Sequence, residues 1–227
     1  MFETFISGFA PHRCYNCRKI GSLLCLSCEE NIDRYVKNDC ILCAKPAANG
    51  ICAACANGTI TQIIVVSERK GSIKQLLNGY KFHRQRAAGI HCARLLARTL
   101  PQLPTNSYIV PIPTAARHIR QRGYDHTLLI AKQLGGLLNT SVTPLLQRHH
   151  DKTQVGASKA ERLVQAANAF STTATLDPKA HYILIDDIIT TGATVRAAAR
   201  VLAQAGARTI TIAAVAHQNL DESPDLW

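Results

Sequence analysis

The stretch Ile183-Leu-Ile-Asp186-Asp187-Ile-Ile-Thr190-Thr191-Gly192-Ala193-Thr194 sets two adjacent carboxylates at the end of an apolar run. A short loop of hydroxyls and one glycine follows, and then a helical pattern begins. In an open α/β sheet, ligands sit beyond the carboxyl ends of the strands. A helix N-terminus offers free N–H groups and the positive end of the helix dipole, which suits phosphate. Gly192 lets the backbone come close to an anion, and Thr190, Thr191 and Thr194 add hydroxyl donors. The candidate phosphate loop is therefore Thr190, Thr191, Gly192, Ala193 and Thr194. Asp186 and Asp187, the candidate catalytic pair, suit sugar hydroxyls or a hydrated Mg ion instead. A phosphate, a diol and a metal in one place describe a phosphorylated ribose. Neither G-x-x-x-x-G-K-[ST] nor G-x-G-x-x-G occurs, so Walker-type and dinucleotide readings have no support.

A second chemistry lies upstream. Eight of the nine cysteines form four C-x-x-C pairs: Cys14 with Cys17, Cys25 with Cys28, Cys40 with Cys43, and Cys52 with Cys55. Zinc takes four soft ligands in a tetrahedron, and each C-x-x-C turn presents two thiolates to one ion. Seven residues separate the first two pairs and eight the last two, as in a duplicated unit. Spacing alone leaves the pairing open; sequential pairing is favoured over interleaved. Two closed four-ligand sites are structural, and the metal supplies folding energy to a short segment. Thioredoxin-like redox proteins carry one such motif rather than four. Cys92 stands alone in a helical pattern and reads as a small core residue.

The formal charge of +11 is concentrated mid-chain: residues 69–162 hold sixteen Lys/Arg against three acids. Such a surplus fits a polyanion such as a diphosphate or nucleic acid, or else a solvated basic face. Val110-Pro-Ile-Pro113 stiffens a strand exit, and Arg117, Arg120 and Arg122 follow. Guanidinium forks hold phosphate oxygens bidentately; the alternative is a solvated helix start.

These groups need a scaffold. Period and breakers predict strands at 62–67, 107–112, 182–188 and 209–215, and helices at 71–79, 86–100, 125–139 and 193–205. The alternation points to a parallel sheet flanked by helices. Residues 147–165 read as a long polar loop or flap, carrying Arg148, Lys152 and Arg162. A boundary is expected near Asn57-Gly58, with a cysteine-rich module at 1–58 and the α/β domain at 59–227. No apolar run approaches membrane-span length and the first residues lack a signal-peptide pattern. With reduced cysteines, this predicts a cytoplasmic protein without membrane insertion.

The Asp-Asp stretch resembles the thirteen-residue signature of type I phosphoribosyltransferases. The resemblance implies that the acidic pair binds the ribose 2′ and 3′ hydroxyls, that the loop wraps the 5′-phosphate, and that Arg117, Arg120 and Arg122 belong to a diphosphate loop. The chain as a whole, over roughly residues 14–216, is similar to the ComF family of competence-associated, GntX-like proteins. That family joins a cysteine-rich zinc module to a phosphoribosyltransferase-like domain. The likeness rests on the cysteine pairs, V-P-I-P with R-x-x-R-x-R-G, Arg148 with Thr153-Gln154, Arg162 with Asn168-Ala-Phe170, and the Asp-Asp signature. The family commonly reads Arg-Gly-Phe-Asn-Gln where this chain has Arg122-Gly123-Tyr124-Asp125-His126, and has Asn where this chain has Gln165.

The resemblance implies two structural zinc ions, and Mg bound with 5-phosphoribosyl diphosphate or a related ribose phosphate. It also implies a role in DNA uptake, natural transformation or use of imported DNA, with single-stranded DNA and uptake proteins as partners. Two alternatives stand beside it: a catalytically inactive single-stranded DNA-binding adaptor, and a general metabolic phosphoribosyltransferase. Twelve aromatic residues limit base stacking in the adaptor.

Overall fold

A computed structural model describes residues 11–149 and 169–219. Its centre is a five-stranded parallel sheet. The long strands are β1 (Ile60–Glu68), β2 (Ser107–Pro111), β6 (His181–Ile189) and β7 (Thr209–His217), with the two-residue β3 (Ser141–Val142) at one edge. The spatial order is β1-β7-β6-β2-β3. Val, Ile and Ala fill these strands in near-continuous runs because helices cover both faces. The alternation survives within the runs. On β6, Ile183 and Ile185 enter one core, while Tyr182 and Leu184 enter the other. The pleat sends successive side chains to opposite faces.

Helices α3 (Gly71–Phe82), α4 (Ala88–Thr99) and α6 (His126–Leu138) pack on one face, and α7 (Ala193–Gln204) on the other. Each expected helix is present with ends shifted by a few residues. The short α5 (Ala116–Arg122) between β2 and α6 carries Arg117, Arg120 and Arg122, so the arginines stand on a helix as the alternative reading had it; seven residues are too few for a clear period. Gln147–Arg148 (β4) pairs antiparallel with Phe170–Ser171 (β5). Lys152 and Arg162, like most of the polar segment between these strands, lie outside the described residues.

The cysteine-rich segment folds as two similar halves. Cys14 N–H donates to Lys19 O (2.9 Å) and Cys40 N–H to Lys45 O (2.7 Å). Arg18 and Ala44, each one residue past its C-x-x-C turn, both take a left-handed φ. A short helix follows the third cysteine of each half: α1 (Leu26–Glu30) and α2 (Ala53–Ala56). The halves pack on opposite faces of the sheet. Leu23, Leu24, Cys14 and Cys28 join the core under α3, α4 and α6, whereas Cys40, Ile41, Leu42 and Ile51 join the core under α7. A buried hydrogen bond links α1 to α4, with His91 Nδ1 2.5 Å from Glu29 Oε1.

Candidate functional site

Each cysteine half brings its own four sulfurs together. The ligand atoms of Cys14, Cys17, Cys25 and Cys28 lie within 4.8 Å of one another, and so do those of Cys40, Cys43, Cys52 and Cys55. Pairing is therefore sequential. A zinc–sulfur bond of about 2.3 Å gives a tetrahedron with edges of about 3.8 Å. The Cys17–Cys25 and Cys43–Cys52 sulfur separations are 3.7 and 3.6 Å, so both groups fit structural zinc. The Cys55 backbone N–H holds Cys52 down at about 7, while burial and the neighbouring sulfurs of Cys43, Cys52 and Cys40 push Cys55 up to about 12. Cys92 is fully buried in the core of α4.

The second site lies at the carboxyl ends of the central strands. A cleft of about 960 Å³ opens there. Asp186 and Asp187 line it near the end of β6, Thr190 comes from the following loop and Thr194 from the first turn of α7, and Arg117 and Arg122 come from α5 beyond β2. Arg148 reaches it from β4. Arg120 is exposed on α5 and is not among the lining residues. Among the described residues, the lining holds six Lys or Arg and only two carboxylates.

The loop takes its shape from Gly192, whose φ of +71° puts it in the left-handed region as the N-cap of α7. Arg196 N–H donates to Gly192 O at 3.0 Å, which starts the helix. Thr190, Thr191, Ala193 and Thr194 are exposed, leaving the threonine hydroxyls accessible to an anion at the helix start, where the Ala193 N–H donates to Thr191 Oγ1 at 3.4 Å.

The two acids are buried and differ in state. Asp187 Oδ2 lies 2.8 Å from Lys81 Nζ and 2.9 Å from His126 Nε2. Burial opposes ionisation of Asp187, but the Lys81 ammonium and the His126 imidazole outweigh it and hold the carboxyl far below the usual range. Among the described residues no cation forms an ion pair with Asp186; burial, and next the Asp187 charge, push it up to about 8 against the more distant pull of Lys81. Its Oδ1 accepts from the Asp187 N–H at 2.8 Å.

His126 is oriented by its other nitrogen. Arg122 Nη1 lies 3.0 Å from His126 Nδ1, and a guanidinium can only donate. Nδ1 therefore accepts, and Nε2 carries the hydrogen aimed at Asp187. Asp125, a charge that the family pattern lacks, is the N-cap of α6. It accepts from Leu128 N–H (3.1 Å), Thr114 N–H (3.2 Å) and Thr114 Oγ1–H (2.7 Å). Its charge is thus occupied by local donors rather than directed at a ligand.

Sequence reasoning missed Lys81 and His126. Lys81 ends a helix of ordinary composition. His126 has no metal-ligand spacing to other histidines, and nothing in its position along the chain points to Asp187. Only the departure at Arg122-Gly123-Tyr124-Asp125-His126 marked that segment as unusual.

Comparison with known proteins finds relatives over most of the chain. The phosphoribosyl transferase domain family matches residues 126–226. "Competence protein F" of Haemophilus influenzae is 27% identical over 90% of this chain and 96% of its own. "Competence protein ComFC" of Bacillus subtilis is 27% identical over 81% of this chain and 79% of its own. "DNA utilization protein YhgH" of Salmonella typhi is 26% identical over 89% of this chain and 95% of its own. The resemblance drawn from the cysteine pairs and the Asp-Asp stretch thus extends over most of the chain. No helix among the described residues is long and apolar enough to cross a membrane.

Proposed function

We propose that this chain, a homologue of competence and DNA-utilisation proteins, binds Mg-complexed 5-phosphoribosyl diphosphate or a related ribose phosphate and serves the uptake or use of DNA. One observation carries the reading. A buried acid pair, an open hydroxyl loop at a helix N-terminus, and arginines from a neighbouring strand exit converge on one cationic cleft.

In this reading Thr190, Thr191 and Thr194, with the amides of Gly192 and Ala193, hold the 5′-monoester. Asp186 and Asp187 meet the ribose hydroxyls or the hydrated metal. They are hard oxygen donors of the kind Mg takes. Arg117, Arg122 and Arg148 face the diphosphate. Magnesium, when bound, neutralises charge on the diphosphate. If a nucleophile attacks C1 of the ribose, the C1–O bond breaks and the arginines stabilise the departing diphosphate. Lys81 and His126 keep Asp187 ionised before any ligand arrives.

A second reading, a single-stranded DNA-binding adaptor, is favoured by Phe82. It stands 61% exposed at the cleft, with the Arg122 guanidinium 6.0 Å from its ring. An aromatic face beside cations suits a base and its phosphates. A general metabolic enzyme would turn over phosphoribosyl diphosphate with a small acceptor and show no DNA affinity.

Calorimetry with Mg and phosphoribosyl diphosphate, beside a single-stranded DNA shift assay at two salt concentrations, separates these readings. Wild type is compared with Asp186→Asn/Asp187→Asn. Loss of sugar-diphosphate binding in the double variant supports the site; unchanged binding refutes it. A steep salt dependence for DNA without sugar-diphosphate binding favours the adaptor.

A further inference from the structure

The second cysteine half touches the phosphate loop directly. Leu42 lies between the metal-site residues Cys40 and Cys43, and its side chain is buried. A Cβ added at Gly192 would meet Leu42 Cδ2 at 2.2 Å, so the Leu42 methyl occupies the space that glycine leaves. The main chain is joined too, because Arg196 Nη2 donates to Leu42 O. Arg196 in turn donates its N–H to Gly192 O. Side chain and carbonyl of one residue thus brace both the loop and the first turn of α7.

The brace has its own footing. Ile41 N–H donates to Gly50 O (2.9 Å) and Ile63 N–H of β1 donates to Asn49 O (3.0 Å). Leu42 is therefore held by the cysteine turn on one side and by the sheet on the other. The first cysteine half has no part in this contact. It packs on the opposite face, where Tyr15 Oη–H donates to Gln85 Oε1 beside Gly79 of α3.

We propose that Leu42 is a positioning residue for the phosphate loop, so that metal in the second cysteine site, and not in the first, is a condition for holding a 5′-phosphate. The physical basis is that a C-x-x-C turn keeps its shape only while its sulfurs share an ion. Without it, Leu42 has no fixed place over Gly192, and loop amides that must converge on one anion lose their geometry. The ligand part of this statement rests on the ribose-phosphate reading above; the mechanical part does not.

The test uses the full zinc-loaded chain and two readouts. The first is amide hydrogen exchange at Arg196, with β6 amides as internal reference, in wild type, Leu42→Ala and Leu42→Met. Faster exchange at Arg196 is expected in Leu42→Ala at unchanged zinc content, with recovery in Leu42→Met, which preserves volume. Cys43→Ser should act like Leu42→Ala, and Cys17→Ser should leave Arg196 unchanged.

The second readout is calorimetric affinity for ribose 5-phosphate and for inorganic pyrophosphate. Misplaced anchoring groups are expected to cost Leu42→Ala about tenfold in ribose 5-phosphate affinity and to leave pyrophosphate affinity unchanged. General damage would lower both. Unchanged exchange at Arg196 in Leu42→Ala overturns the proposal whatever binds. If wild type binds no sugar phosphate but Leu42→Ala still loosens Arg196, the ribose-phosphate reading fails and the mechanical coupling stands.

Discussion

Lys81 Nζ lies 2.8 Å from Asp187 Oδ2, so a cation from α3 already sits on the second acid of the Asp-Asp pair. Both side chains are largely withdrawn from water, at 17% and 4% exposure. A ligand that engages Asp187 through Oδ2 would share that oxygen with Lys81 and His126 or displace them.

Lys81→Met should leave Asp187 buried without its ammonium. Breaking one side of a buried pair costs about 3–5 kcal/mol. Denaturant unfolding should show a loss of that order, and Lys81→Met/Asp187→Asn should recover most of it. A double variant as unstable as the single one would mean that the lysine stem, not the charge, matters.

The acid pair should also make stability depend on pH. Asp186 titrates near 8 in the fold against 3.8 ordinarily. The native state keeps this proton after the unfolded chain has released it, so stability falls as pH rises from about 4 to about 8. Asp187 works the other way: its contribution is present above its ordinary value and is lost as pH falls through the acid range. Asp186→Asn keeps an oxygen for the Asp187 N–H and removes the first effect. Its melting temperature should exceed wild type by a margin that widens from pH 5 to pH 8 and reaches about 4 °C or more. Parallel curves would contradict the assignment.

Elemental analysis should find two zinc ions per chain. Leu23, Leu24, Ile41 and Leu42 join the cores of the α/β domain, so chelation should destabilise the sheet as well as the cysteine segment. Calorimetry before and after chelation measures this. An unchanged sheet transition would show that the cysteine halves fold independently of it.

Asp125→Ala should cost about 1–2 kcal/mol through loss of the α6 cap, whereas Asp125→Asn should cost less because it retains an acceptor. Denaturant midpoints report both. Pyrophosphate affinity should not rise in Asp125→Asn, since the native charge is bound to Thr114 and Leu128 N–H rather than facing the cleft.

Local patterns were legible because they encode local physics. The near-continuous apolar run at 182–188 called for a strand covered on both faces, and the order of breakers called for βα alternation. Tetrahedral chemistry and short spacing predicted the two cysteine groups. Adjacent acids followed by Thr-Thr-Gly-Ala-Thr predicted a loop at a helix start because strand end, glycine and helix N-cap are contiguous in the chain. The minor elements were less visible: α5 and the paired strands β4 and β5 are too short to show a period.

Tertiary structure alone decided the long-range partners. Lys81 and His126 meet Asp187 because α3 and the start of α6 both end over β6, and no spacing rule joins positions on three separate elements. The opposite states of Asp186 and Asp187 follow from which oxygen those groups reach. The two cysteine halves, nearly equivalent in sequence, became unequal only on folding. One seats Leu42 on Gly192 and the other seats Tyr15 beside Gly79, because sheet packing sent them to opposite faces.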